Sequence, residues 1–140
     1  MNEENRCYTY FKITGNFDPA DITATLSLSP SKQWNIGDSR KGGTKYDFAL
    51  WEYGRCNNYD VFVENQMMRT IEKLVPKIKE LKAIKRNYDV TFTLEIVPTI
   101  YVGKQNPCLA PSRPVIEFCY HTKTDIDIDL YIYDSDEVDD

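Results

Sequence analysis

Residues 7–30 read CYTYFKITGNFDPADITATLSLSP and carry a strand, a turn and a capped helix in succession. Cys7, Thr9, Phe11 and Ile13 alternate with Tyr8, Tyr10, Lys12 and Thr14. A period of two among β-branched and aromatic residues predicts a strand whose Phe11/Ile13 face enters the core. Gly15 and Asn16 both tolerate the positive φ of a tight turn. Asp18 is placed to accept from the free N–H groups of a first helical turn. Pro19 fits the position where a missing N–H costs nothing, and Asp21 sets a negative charge at the positive end of the dipole. Phe17 and Ile22 stand at the two positions of a hydrophobic staple. Ile22 and Leu26 give the apolar stripe, and Pro30 stops the helix.

Working outward, residues 31–45 (SKQWNIGDSRKGGTK) form a long polar connection anchored by Trp34. Residues 46–53 (YDFALWEY) predict a second strand, with Tyr46, Phe48 and Leu50 on one face and Ala49, Trp51 and Tyr53 on the other. Residues 54–58 turn the chain. Met67, Ile71, Leu74, Ile78 and Leu81 step by four and three, an amphipathic helix that Pro76 kinks or breaks near Val75. Tyr88, Val90, Phe92, Leu94 and Ile96 predict a third strand, interrupted at Pro98. Residues 112–122 fit a helix capped by Ser112, or a strand through Val115, Ile116, Phe118 and Tyr120. Residues 125–133 read as the last strand, with Ile126, Ile128, Leu130 and Ile132 on one side. This order predicts an α+β fold: a four-stranded, mainly antiparallel sheet with helices on one face. It would be a ferredoxin-like sandwich with an extra kinked helix between its halves. The expected organisation is a single domain over residues 1–140, with residues 1–6 and 134–140 as frayed tails.

The formal charge of −5 over 140 residues disfavours general affinity for nucleic acid or anionic membranes. The start MNEENRCY has neither a basic region nor an apolar run, and no stretch approaches the roughly 20 apolar residues of a membrane span. A soluble, cytoplasmic protein is expected. Cys7, Cys56, Cys108 and Cys119 lack C-x-x-C spacing, which predicts reduced thiols rather than a metal site.

The motif YFKITGNFDPADIT, followed by LSLSP, by residues 34–38 (WNIGD), by the tryptophan of ALWEY and by the closing DIDIDLYIY, resembles domain of unknown function 4279. The resemblance spans roughly residues 7 to 133. It implies a bacterial origin and a shared fold, and it brings no catalytic residues.

The residues themselves offer no convergent catalytic set, and no cofactor or metal is expected. His121 stands two residues from Cys119, a poor spacing for a nucleophile–base pair on a helix. Asp125, Asp127 and Asp129 alternate along one strand about 6.6–7 Å apart, too far for one ion to collect all three. If the apolar strand faces all turn toward the helices, the opposite face presents Tyr8, Tyr10, Lys12, Trp51, Tyr53, Thr91, Thr93 and Glu95. It adds Asp125, Asp127, Asp129, Tyr131 and Tyr133. Tyrosine and tryptophan bring large contact area at low entropy cost, and the carboxylates suit a cationic partner. The leading expectation is a non-catalytic, acidic protein-binding module, in its sharpest form an immunity-type inhibitor of a basic toxin or nuclease. One rival is phosphate or nucleotide binding, or an enzymatic role, at Arg40, Lys41 and Lys45 in the 31–45 loop. Another is a homodimer that buries the tyrosine face.

Overall fold

A computed structural model describes residues 4–57 and 60–134. The broad class is as expected: α+β, with four α-helices and a six-stranded sheet among the described residues. In chain order the elements are β1 (Arg6–Asn16), α1 (Pro19–Leu26), β2 (Lys32–Trp34), β3 (Ala49–Cys56), α2 (Val63–Ile71), α3 (Ile78–Asn87), β4 (Asp89–Tyr101), α4 (Arg113–Thr122), β5 (Thr124–Ile128) and β6 (Tyr131–Tyr133). The sheet runs β2-β3-β1-β4-β5, and β6 also pairs with β4.

The four-stranded antiparallel, ferredoxin-like arrangement does not match. β1 is antiparallel to both β3 and β4, and β2 is antiparallel to β3, whereas β5 and β6 lie parallel to β4. The cause is α4. Parallel neighbours need a crossover, and this helix carries the chain from the end of β4 back alongside its middle. Residues 112–122 are therefore helix in their main part, not strand. β5 pairs with Phe92–Ile96 and β6 with Thr99–Tyr101, so the two short strands follow one another along the same edge of β4. Pro98 does not end β4. It sits between those two pairing segments, where the ladder on that edge is already interrupted.

α1 starts as its sequence dictates. Asp18 Oδ1 accepts from Ala20 N at 3.0 Å, Pro19 opens the helix, and Phe17 and Ile22 are buried. It closes at Leu26, before Pro30, because Ser27 turns left-handed and donates its N–H to Thr23 O. Pro76 breaks the long helical segment: α2 stops at Ile71, a 3-10 turn spans Val75–Lys77, and α3 resumes at Ile78. Met67, Ile71, Leu74 and Leu81 nonetheless share one buried stripe across the break. All four helices contribute to a single apolar cluster with Phe11, Ile13, Trp51, Phe92, Leu94 and Ile96. One face of the sheet is thus packed, and no helix among the described residues covers the other.

Residues 1–3 and 135–140 lie outside the described residues, as do Asn58, the last residue of the expected turn, and Tyr59. Arg6 already belongs to β1, and Asn5 is buried, its amide donating to Gln105 O and its Oδ1 accepting from Tyr101 N. Gly54 and Arg55, read as turn, are strand.

Candidate functional site

The uncovered face is built by the register of β1. Lys12 pairs with Glu52 on β3 and Thr93 on β4, and Thr93 pairs with Asp125 on β5. Tyr10 pairs with Glu95, which pairs with Asp127. Tyr8, Tyr10, Asp125, Asp127 and Asp129 belong to this face or its β5 border, and Tyr131 and Tyr133 extend it beside Tyr101. The Tyr101 and Tyr133 rings stack at 5.6 Å.

Trp51 and Tyr53 are on the other side, and the expected facing of β3 is inverted. They pair with Ile13 and Phe11, whose side chains enter the core. Trp51 is fully buried, and its Nε1 donates to Thr23 Oγ1 of α1 at 3.0 Å. A bulky indole with one polar handle suits a packed layer that offers a hydroxyl. The residues of β3 that do reach the uncovered face are Leu50, Glu52 and Arg55. Glu52 and Arg55 carry the site and were missed in the sequence. The only signal for them was the alternation of Glu52 with Trp51 in LWEY.

A bulge brings Arg55 into place. Between Thr9 and Phe11 the β1–β3 register slips, so Gly54 and Arg55 together oppose Tyr10. Gly54 adopts φ +75°, the left-handed conformation that glycine supplies at such bulges. Across the bulge, Gln66 Nε2 of α2 donates at 2.7 Å to both Cys7 O and Cys56 O. Cys7 lies opposite Pro98, which has no N–H to offer.

Arg55 then lies over the Tyr8 ring at 4.2 Å and near the Tyr10 ring at 5.6 Å, while its Nη1 reaches Glu52 Oε1 at 3.3 Å. Lys12 Nζ meets Glu95 Oε1 at 3.4 Å. Glu52 and Glu95 are only 4% and 5% exposed although no helix among the described residues covers them. Burial, and a hydrogen bond with Asp127, hold the Glu95 carboxyl above the usual range despite Lys12. Burial first, then the Glu95 and Glu52 charges, push the Tyr10 hydroxyl up to about 12, so it stays a neutral donor. Tyr131 donates to Asp129 Oδ2 at 3.1 Å, which raises its own pKa. Each buried acid thus has its cation. Among the described residues, no lysine or arginine is within ion-pair distance of Asp125, Asp127 or Asp129. At one end of the face, Lys12, Thr14, Phe48 and Thr91 border a groove of about 450 Å³.

The 31–45 loop folds on itself. β2 joins the sheet, and Trp34 stacks on Tyr46 at 3.8 Å and donates to Phe48 O at 2.9 Å, the anchor expected of it. Arg40 lies over the Tyr46 ring at 4.9 Å, and backbone pairing of Ser39 with Lys45 makes the rest a small hairpin. The structure does not bring Arg40, Lys41 and Lys45 to the walls of any of the three grooves described for this chain. Among the described residues, no three of His, Cys, Asp and Glu are grouped to hold a metal ion. Cys119 is buried on α4 with its thiol pushed up to about 11, the opposite of an activated nucleophile.

A family model described as domain of unknown function (DUF4279) matches residues 5–133. The chain belongs to that family. No curated protein and no solved structure matches this DUF4279 chain. No helix among its described residues is long and apolar enough to cross a membrane.

Proposed function

We propose that this DUF4279 chain is a non-catalytic, acidic protein-binding module whose uncovered sheet face takes a cationic partner. The observation that carries the reading is the state of the face's carboxylates. Lys12 and Arg55 are engaged with Glu95 and Glu52, which leaves Asp125, Asp127 and Asp129 exposed beside Tyr8, Tyr131 and Tyr133. Exposed acids beside tyrosine rings suit a basic protein surface, and they repel a phosphate backbone. An immunity-type inhibitor of a basic toxin or nuclease is the sharpest form of the reading. It rests on charge and on the chain's small size, by analogy.

The test is affinity purification from the native host, then calorimetry with any partner recovered in stoichiometric amount. Asp127→Lys with Asp129→Lys, and Tyr8→Ala separately, are expected to weaken binding. Absence of a stoichiometric basic partner, or unchanged affinity in these variants, contradicts the reading.

Self-association is a second reading, favoured by the edge. Ile126, Ile128, Leu130 and Ile132 are 39–62% exposed along β5, β6 and the link between them, because these strands border the sheet. Sedimentation across a dilution series separates a dimer from a monomer.

A further inference from the structure

We propose that a cationic groove between α3 and α4 binds a small phosphorylated molecule carrying an aromatic ring, the chemistry of a nucleotide. The groove lies in the helical layer, away from the uncovered sheet face, and this inference does not depend on the reading of that face. It measures about 790 Å³, within the range of about 300–1,000 Å³ that small-molecule pockets occupy. Its walls are Lys82, Lys85 and Arg86 from the last turns of α3, and Tyr120, His121 and Lys123 from the end of α4. Cys119 and Thr122, both buried, form the floor.

Four cations gather here in a chain of net charge −5, and among the described residues no carboxylate lines the groove. Among the described residues, none of the four is in an ion pair. Asp125 is the carboxylate whose charge Lys85 feels, and it lies outside the lining.

Basic residues near a helix C-terminus ordinarily serve the exposed carbonyls and the dipole. At α4 that role is largely filled from within. Thr122 Oγ1 donates to Phe118 O at 2.7 Å, and the N–H of the left-handed Lys123 serves Cys119 O and Tyr120 O. Lys85 alone is drawn in, its Nζ donating to Lys123 O at 2.8 Å while it lies over the Phe92 ring at 4.8 Å. That contact ties the two walls together. Among the described residues, that leaves Lys82, Arg86 and the Lys123 side chain without a protein acceptor in the groove.

Burial lowers the Lys85 pKa, Asp125 opposes that shift, and Lys123 adds to it by less, so the Lys85 charge is held at a desolvation cost. A phosphate relieves it, with Arg86 offering a planar fork and the lysines point charges. The aromatic component follows from Tyr120. Its side chain is 77% exposed and packs edge-on to His121 at 5.4 Å, which leaves a ring at the groove's rim for a flat group to stack on.

The experiment is isothermal titration calorimetry of the full chain with ATP, AMP and inorganic tripolyphosphate at low ionic strength. ATP is expected to bind saturably at one site. Lys82→Glu with Arg86→Glu should weaken it by about tenfold or more, from the loss of charge-assisted contacts. Lys82→Ala with Arg86→Ala repeats the test with a gentler change, and circular dichroism checks that every variant is folded. Tyr120→Ala should weaken ATP and AMP and leave tripolyphosphate unchanged. Arg40→Glu with Lys41→Glu should leave all three unchanged. The proposal is overturned if ATP fails to saturate, if the α3 variants bind as the parent does, or if the hairpin variants lose the binding. Equal affinity for ATP and tripolyphosphate, insensitive to Tyr120, overturns the nucleotide assignment.

Discussion

Replacing Gly54 with alanine tests the bulge that places Arg55. A Cβ built there would stand 2.3 Å from Thr70 O, against the 3.0 Å below which such contacts essentially never occur, and φ is +75°. The left-handed conformation alone costs an L-residue about 1–2 kcal/mol. The steric term adds about 1–3 kcal/mol, the usual cost of forcing atoms into a packed site. Relief by sliding α2 is blocked. Thr70 Oγ1 donates to Gly54 O at 2.8 Å and is 2.7 Å from Thr9 Oγ1, and Met67 and Ile71 are fully buried in the core. The expected loss is therefore about 2–5 kcal/mol, a large part of a typical domain's stability. Urea denaturation followed by tryptophan fluorescence measures it, read from the midpoint at unchanged slope. Gly42→Ala is the control: φ is +105° but nothing lies within 4 Å, so only backbone strain remains. If Gly54→Ala is no more damaging than Gly42→Ala, the close approach of β3 and α2 is misjudged.

Three further outcomes are expected. Trp51→Ala should cost about 3–5 kcal/mol by denaturation, whereas a loss under about 1 kcal/mol would return Trp51 to the surface. Because the folded state holds the Glu95 proton more tightly than the unfolded chain, its contribution is full below the ordinary value of 4.5 and is lost as pH rises through the folded pKa. Urea midpoints across that rise should show Glu95→Gln gaining on the parent, and a parent that gains instead contradicts the assignment. The Cys7 and Cys119 thiols, each pushed up to about 11 by burial, should resist a disulfide reagent at about pH 8 until the chain unfolds. Cys108, which is exposed, and Cys56, half-buried, should react in the native state, and prompt reaction of Cys7 or Cys119 would refute their burial.

The sequence was most legible where one face of an element differs sharply from the other. In β4, Phe92, Leu94 and Ile96 enter the core as their alternation predicts, and α1 begins where Asp18 and Pro19 place it. β3 offers no such contrast. Leu50 and Glu52 are buried on one side, Ala49 and Trp51 on the other, so hydropathy alone cannot orient the strand. What orients it is the Thr23 hydroxyl and the pairing to β1, which are long-range facts. The half-exposed isoleucines of β5 mislead similarly, since an edge position is a property of the sheet. The partnering of Glu52 by Arg55 depends on a one-residue register slip that no local pattern marks. The groove between α3 and α4 joins helix ends about forty positions apart, which basic residues in sequence do not reveal by themselves.

The central place of β1 has a consequence for synthesis. Both hydrogen-bonding edges of β1 are claimed by segments that follow it in the chain, β3 on one side and β4 on the other. As the chain leaves the ribosome, Phe11 and Ile13 therefore lack their β4 partners Leu94 and Phe92 until those residues have emerged, and Phe11 lacks the Phe118 ring for longer still. During that interval the nascent chain carries an apolar strand with one edge open to mispairing with other chains. The antiparallel seam between β1 and β4 is then the step at which the sheet becomes safe from itself.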